Sequence, residues 1–200
     1  MSSKPNLKTD NLDLKELLEK LNDLVRNFSQ VANERNLDFY VHFNRSLPQK
    51  IFTDRKRLQQ ILNNLLSNAF KFTEEGYVSL TVSLTSNDWI KAQDRLDSYS
   101  EYVAFAVSDT GIGVAADKQE LIFEGFQQGD GTTSRKYGGT GLGLSISREL
   151  AESLGGKIDL TNEVNKGSTF TLYLPQSPAC SSNRDNDRDN LTKFDDTHTL

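Results

Sequence analysis

Cysteine is almost absent from this chain of 200 residues: Cys180 stands alone. No disulfide can form within the chain, and a reducing compartment fits. Long apolar runs are missing too. None reaches membrane-spanning length, and Met1-Ser-Ser-Lys4 lacks the apolar core of a signal peptide. An excess of basic charge is also lacking, since the formal net charge is −5. Duplex binding is usually driven by a basic face, so nucleic acid is not expected as the main partner. Direct membrane contact is not expected either, and the reading is cytoplasmic. No internal repeat is present.

What remains is an ordinary globular composition, 36% hydrophobic and 26% charged, in a length that allows one domain with a real core. Met1 to Asn11 is polar and expected to be flexible. Asp13 followed by Glu16 resembles a capping box. After it Leu14, Leu17, Leu18, Leu21, Val25, Phe28 and Ala32 recur at helical spacing. Leu37 to Phe43 alternates like a strand, and Pro48 marks a loop.

A second helix is expected over about Asp54 to Phe72, with Leu58, Ile61, Leu62, Leu65, Leu66 and Ala69 as its apolar face. Asn64, Asn68 and Lys71 form one stripe beside that face, while Gln59, Asn63 and Ser67 point to water. Such a stripe is placed to line a cleft. Tyr77 to Thr85, Tyr102 to Ser108, Lys157 to Thr161 and Ser168 to Leu174 read as further strands, with Asn165-Lys-Gly167 as the last turn. Ser86 to Glu101, with Trp89, is a long polar insertion, and the chain beyond Pro175 is expected to be disordered.

The segment Tyr137-Gly-Gly-Thr-Gly-Leu-Gly-Leu144 runs straight into a helix through Ile146, Leu150, Ala151 and Leu154 that stops at Gly155-Gly156. The free N–H groups and positive dipole end of that helix favour an anion in the loop. A Walker loop is excluded, because Gly143 is followed by Leu144 and Ser145 rather than Lys and Ser or Thr. The spacing Gly139-Thr-Gly141-Leu-Gly143, after a polar stretch, is not a dinucleotide fingerprint either. Taken alone, the loop reads equally as a surface connection.

Four stretches lift it above that: Asn64 with Asn68, Asp109-Thr-Gly-Ile-Gly113, Ile122-Phe-Glu-Gly-Phe126 and the glycine segment. In order and type they resemble the ATP-binding domain of sensor histidine kinases, a branch of the superfamily that also holds DNA gyrase, the Hsp90 chaperones and MutL. The resemblance runs from about Leu12 to Leu174 and is specific, since four separate motifs match in order. It implies an α/β (α+β) two-layer sandwich of the Bergerat type, with a mixed, mostly antiparallel sheet of about five strands and three helices on one face. The domain would span 12–175, between a flexible segment 1–11 and a tail or linker 176–200.

The resemblance also implies ATP and Mg²⁺ as ligands. An ionised Asp109 only accepts hydrogen bonds, so it would pair with the adenine amino group and be repelled by the guanine oxygen. Gly111 and Gly113 would leave room for the base to approach the backbone. Asn68 matches the family's metal ligand, and Mg²⁺ that shares phosphates needs little more from the protein. Asn64 stands where water-splitting relatives carry a glutamate base, and an amide takes no proton at neutral pH. Lys71, Arg135 and Lys136 are candidate phosphate contacts, although a solvated lysine is as good a reading of Lys71. Gly139, Thr140, Gly141, Leu142 and Gly143 would wrap the triphosphate, with Ser168 near the adenine. Phe123 and Phe126 would anchor a lid, at least one by plain core packing. Gly125, where such kinases usually have proline, would loosen that lid.

Phosphoryl transfer needs an acceptor, and neither histidine suits. His42 lies in a strand and His198 in the polar tail. The family's acceptor sits in a His-Glu setting followed by Arg-Thr-Pro on a helical hairpin, and nothing of that kind precedes Leu12. The expected partners are therefore a dimerisation and histidine-phosphotransfer helical domain, on this chain's longer parent or on a separate protein, and a downstream response regulator. A regulatory nucleotide-binding module without transfer of its own is the competing reading. A chaperone or topoisomerase type of ATPase is disfavoured by Asn64 and by the short chain.

Overall fold

The computed structural model describes residues 10–44, 46–48, 50–86, 101–119, 121–124 and 142–176. Strand β1 (Asp10–Asp13) leads into α1 (Leu14–Arg35), β2 (Asp38–Phe43), β3 (Lys50–Thr53) and α2 (Arg55–Phe72). Strands β4 (Tyr77–Ser86) and β5 (Glu101–Asp109) follow. Two 3-10 turns, Ala116–Lys118 and Leu121–Phe123, precede α3 (Gly143–Ser153), β6 (Lys157–Glu163) and β7 (Gly167–Pro175). The main sheet has the order β2-β4-β5-β7-β6. Only β2 and β4 run parallel in it, with α2 as their crossover, and the other pairs are antiparallel. This is the mixed five-stranded sheet read from the sequence, with three α-helices among the described residues.

Alternation fixes which face of the sheet is covered. Val78, Leu80 and Val82 on β4, Val103, Phe105 and Val107 on β5, and Phe170, Leu172 and Leu174 on β7 point the same way and are buried with the helices. The register sets Leu80 opposite Val107 and Val107 opposite Phe170, so the rows meet side by side. On α1 the buried set is Leu17, Leu21, Leu24, Phe28 and Ala32. Leu24 takes the place expected of Val25, which is half-buried. The two positions differ by one residue, about 100° of helix, and Leu24 holds the seven-residue spacing from Leu17 to Leu24 to the core.

The apolar face of α2 is as expected, with Phe70 added: its ring stacks on Phe28 at 5.5 Å and meets Phe39 edge-on at 5.3 Å. Asp54 caps α2 by accepting from the N–H groups of Lys56 (2.9 Å) and Arg57 (3.2 Å). At the other end the Thr73 hydroxyl donates to the Ala69 carbonyl at 2.8 Å.

Strands β1 and β3 pair antiparallel outside the main sheet. They are the elements the sequence did not announce, and β1 begins two residues inside the stretch 1–11 expected to be flexible. Each has four residues, too short for alternation to register, yet Ile51 is fully buried in the core. The expectations for 1–9, for the insertion around Trp89 and for the tail from 177, with Cys180 and His198, lie outside the described residues.

Candidate functional site

Asp109 is the last residue of β5, directly opposite Ser168 on β7. One carboxylate oxygen accepts from the Gly111 N–H at 2.9 Å. Burial pushes the carboxyl above its ordinary value, and hydrogen bonds from the backbone N–H groups of Gly111 and Ser168 pull the other way. The group is thus a partly desolvated acceptor held in one orientation.

The loop after it is stitched down residue by residue. The Thr110 hydroxyl accepts from the Tyr77 N–H at 3.0 Å and fills the space over Gly76, which has φ +101°. The Ile112 carbonyl accepts from the Asn165 N–H at 2.9 Å. Val114 is gripped at both ends by one side chain: Asn162 Oδ1 accepts from its N–H and Asn162 Nδ2 donates to its carbonyl, each at 2.6 Å. Ser168 Oγ donates to the same Oδ1 at 3.0 Å.

Asn162 therefore acts as a substitute strand partner that ties the Asp109 loop to β6. It was not expected, because a lone asparagine in a strand carries no motif and its partner lies 48 residues away. Asn162→Ala should cost about 3 kcal/mol, from three lost hydrogen bonds, two with Val114 and one with Ser168, of about 1 kcal/mol each. Thermal unfolding checks this, with an expected fall of roughly 6–12 °C. A Tm that stays put would mean that Val114 finds other partners.

Gly111 and Gly113 are needed, for reasons internal to the fold. A Cβ on Gly111 would sit 2.3 Å from the Phe72 carbonyl oxygen, so the end of α2 presses directly on the loop. A Cβ on Gly113, at φ +68°, would lie 2.7 Å from the Glu163 carbonyl oxygen. On those two sides the room that glycine leaves is taken by protein atoms.

The α2 stripe is arranged as its spacing implies: Asn64, Asn68 and Lys71 are half-buried, while Gln59, Asn63 and Ser67 are exposed. Lys71 Nζ lies 5.1 Å from the centre of the Phe72 ring. Asn64 reaches sideways to α3, where its Nδ2 donates to Ser147 Oγ at 2.9 Å. A Cβ on Gly143 would stand 2.1 Å from Asn64 Oδ1. Helix α2 thus touches both the Asp109 loop, through Phe72, and the first turn of α3, through Asn64.

Helix α3 begins at Gly143, and Leu142 before it supplies no side-chain cap. Its C-terminal end is closed by a Schellman arrangement. The Gly156 N–H donates to the Ala151 carbonyl (2.9 Å) and the Gly155 N–H to that of Glu152 (3.0 Å), with Gly155 at φ +74°. Arg57 Nη1 donates to Ser153 Oγ at 2.8 Å, a second tie between α2 and α3.

Phe123 packs into the fold: its ring meets Phe170 edge-on at 6.2 Å, and the Arg148 guanidinium lies 5.9 Å above it. Ser168 is buried, its hydroxyl committed to Asn162. Arg135, Lys136, Gly139, Thr140 and Gly141 lie outside the described residues, as do Gly125 and Phe126. No helix among the described residues is long and apolar enough to cross a membrane.

The mixed five-stranded sheet, its asparagine-bearing crossover helix and the helix that opens at Gly143 make an α/β sandwich. Residues 53–178 match the family described as histidine kinase-, DNA gyrase B-, and HSP90-like ATPase, and the chain belongs to that family. Within it, the chain is an ATP-binding catalytic domain of the histidine kinase kind. It is 39% identical over 157 residues to the autoinducer 2 sensor kinase/phosphatase LuxQ of Vibrio vulnificus, a match that covers 78% of this chain and 17% of that protein. It is 36% identical over 159 residues to hybrid signal transduction histidine kinase B of Dictyostelium discoideum, covering 80% of this chain and 8% of the other. Among solved structures, full-length ShkA in complex with AMPPNP superimposes with a TM-score of 0.67 at 34% identity, over 89% of this chain and 33% of that one. The chain thus spans a small part of the length of the relatives it matches.

Proposed function

We propose that this chain binds ATP with Mg²⁺ and passes the γ-phosphoryl group to a histidine on a helical dimerisation and phosphotransfer domain, with a response regulator downstream, in the cytoplasm. One observation carries the reading. Helix α2 presses on the Asp109 loop through Phe72 and on the first turn of α3 through Asn64, and Asn68 lies on that helix between the two contacts, which supports one site built from a purine acceptor, an amide and a helix end without a side-chain cap. The likeness to full-length ShkA, solved in complex with AMPPNP, supports it.

The roles follow from chemistry. Asp109 accepts from the adenine amino group, and a guanine oxygen at that place is repelled. The N–H groups that open α3 would meet the triphosphate, with Lys71, Arg135 and Lys136 adding positive charge. Asn68 would offer an amide oxygen to Mg²⁺, which when bound would neutralise part of the phosphate charge. Asn64 cannot serve as a base, which favours transfer to an imidazole over attack by water. Catalysis then amounts to holding the phosphoryl group in line and balancing its charge.

Incubating the chain with γ-labelled ATP, Mg²⁺ and a histidine-bearing helical hairpin from a related kinase tests the reading. Acid-labile label on the hairpin supports it, and tight ATP binding with no labelled hairpin favours the regulatory module instead. Asn68→Ala should weaken ATP binding about tenfold with Mg²⁺ present and leave binding in EDTA unchanged, the loss of roughly one ligand bond. Equal losses under both conditions would remove Asn68 as the metal's ligand.

A further inference from the structure

We infer that Ser147 is a positioning residue for the triphosphate, acting through Asn64, and that the pair fastens the first turn of α3 to the flank of α2. Two independent observations carry this. The first is the hydrogen bond itself, 2.9 Å from Asn64 Nδ2 to Ser147 Oγ, with Ser147 only 2% exposed on the face of α3 turned to α2. The second is Gly143. It lies in the helix and is not among the glycines with positive φ, so its backbone is open to any residue. What requires glycine there is Asn64, whose Oδ1 lies 2.1 Å from where a Cβ would stand.

Three residues, Asn64, Gly143 and Ser147, therefore form a single lock. The amide fits into the gap left by the missing Cβ and reaches the hydroxyl one turn further along α3. Asn64 is on α2 one turn before Asn68. The lock thus sets the distance between the helix end that faces the phosphates and the amide that holds the cation. On this account Asn64 works as a structural spacer and has no need to touch the nucleotide. The inference rests on the nucleotide reading above.

The test is a double-mutant cycle on the 200-residue chain, measuring affinity for ATP·Mg²⁺ and, separately, for adenosine. Ser147→Ala and Asn64→Ala should each weaken ATP binding about five- to tenfold, the range of one hydrogen bond, and the double variant should lose no more than the larger of the two single losses. Adenosine affinity should stay unchanged, because the lock lies on the phosphate side. A merely structural role would weaken both ligands together. Gly143→Ala should behave like Asn64→Ala, and adding Asn64→Ala to it should cause no further loss, since the colliding amide is gone. Ser147→Ala at wild-type affinity, additive losses in the double variant, or a matching loss for adenosine would each overturn the inference. Failure of the unaltered chain to bind ATP would instead overturn the nucleotide reading itself, and the two failures are distinct.

Discussion

Asp109→Asn is expected to weaken ATP binding by about one to two orders of magnitude while making the nucleotide-free domain harder to unfold at neutral pH. The loss comes from exchanging a charged acceptor for an amide. A hydrogen bond to a charged group contributes about 1.5–3 kcal/mol, and every 1.4 kcal/mol is tenfold in affinity. The gain comes from burial. Desolvation raises the carboxyl of Asp109 above its ordinary value, outweighing the hydrogen bonds from Gly111 and Ser168. A carboxyl raised in the folded state stabilises the fold below its unfolded pKa, and that contribution disappears as pH rises through the folded value. Ionised Asp109 is therefore a standing cost at neutral pH. Asparagine removes it and keeps an oxygen for the Gly111 N–H.

Titration calorimetry with ATP and thermal unfolding without it read the two halves. The stability difference should close as pH falls below the ordinary carboxylate range. ATP affinity of the unaltered chain should start to fall at a higher pH than an unburied aspartate would dictate. An Asp109→Asn variant that binds ATP normally would show that the base is recognised elsewhere.

The second large effect is expected from Gly167→Ala. Gly167 opens β7 at φ +119°, a conformation that side chains rarely adopt, and a Cβ there would stand 1.9 Å from the backbone carbonyl oxygen of Asp109. Neither strain nor collision is relieved by a rotamer change, since the obstacle is main chain. A loss of about 3–4 kcal/mol is expected, or roughly 6–16 °C in Tm. Because the obstacle is Asp109 itself, residual folded protein should also bind ATP poorly. Unfolding in urea and ATP titration below the new midpoint measure the two effects. A drop of less than a few degrees would mean that the β6–β7 turn can move away from β5 freely.

Period and capping carried most of the fold. Leu58, Ile61, Leu62, Leu65 and Leu66 announce α2, Asp54 starts it, and alternation in Tyr77 to Thr85 and Ser168 to Leu174 marks the central strands. The short β1 and β3 escaped, since four residues are too few for a period to stand out from polar chain. Of the candidate site, the positions of Asp109 at the end of β5 and of Asn68, half-buried on α2, follow from strand and helix periods, while Gly139 and Gly141 lie outside the described residues. What stayed hidden was support: Asn162 and Ser147 matter through partners far along the chain, and no local pattern points to them. The glycines at 111, 113 and 143 were noticed for the right positions, but the neighbours that require them are protein atoms.

The bonds that fasten the Asp109 loop and α3 join distant parts of the chain: Thr110 to Tyr77 across 33 residues, Val114 to Asn162 across 48, Asn64 to Ser147 across 83 and Arg57 to Ser153 across 96. Closing such wide loops is entropically slow, so contacts of this kind tend to form after the rate-limiting barrier. Substitutions at Asn162 or Ser147 should accordingly speed unfolding while leaving the refolding rate nearly unchanged. During synthesis, α2 emerges long before the segments that anchor it, and the Asp109 loop is fully fastened only once β6 and β7 have left the ribosome.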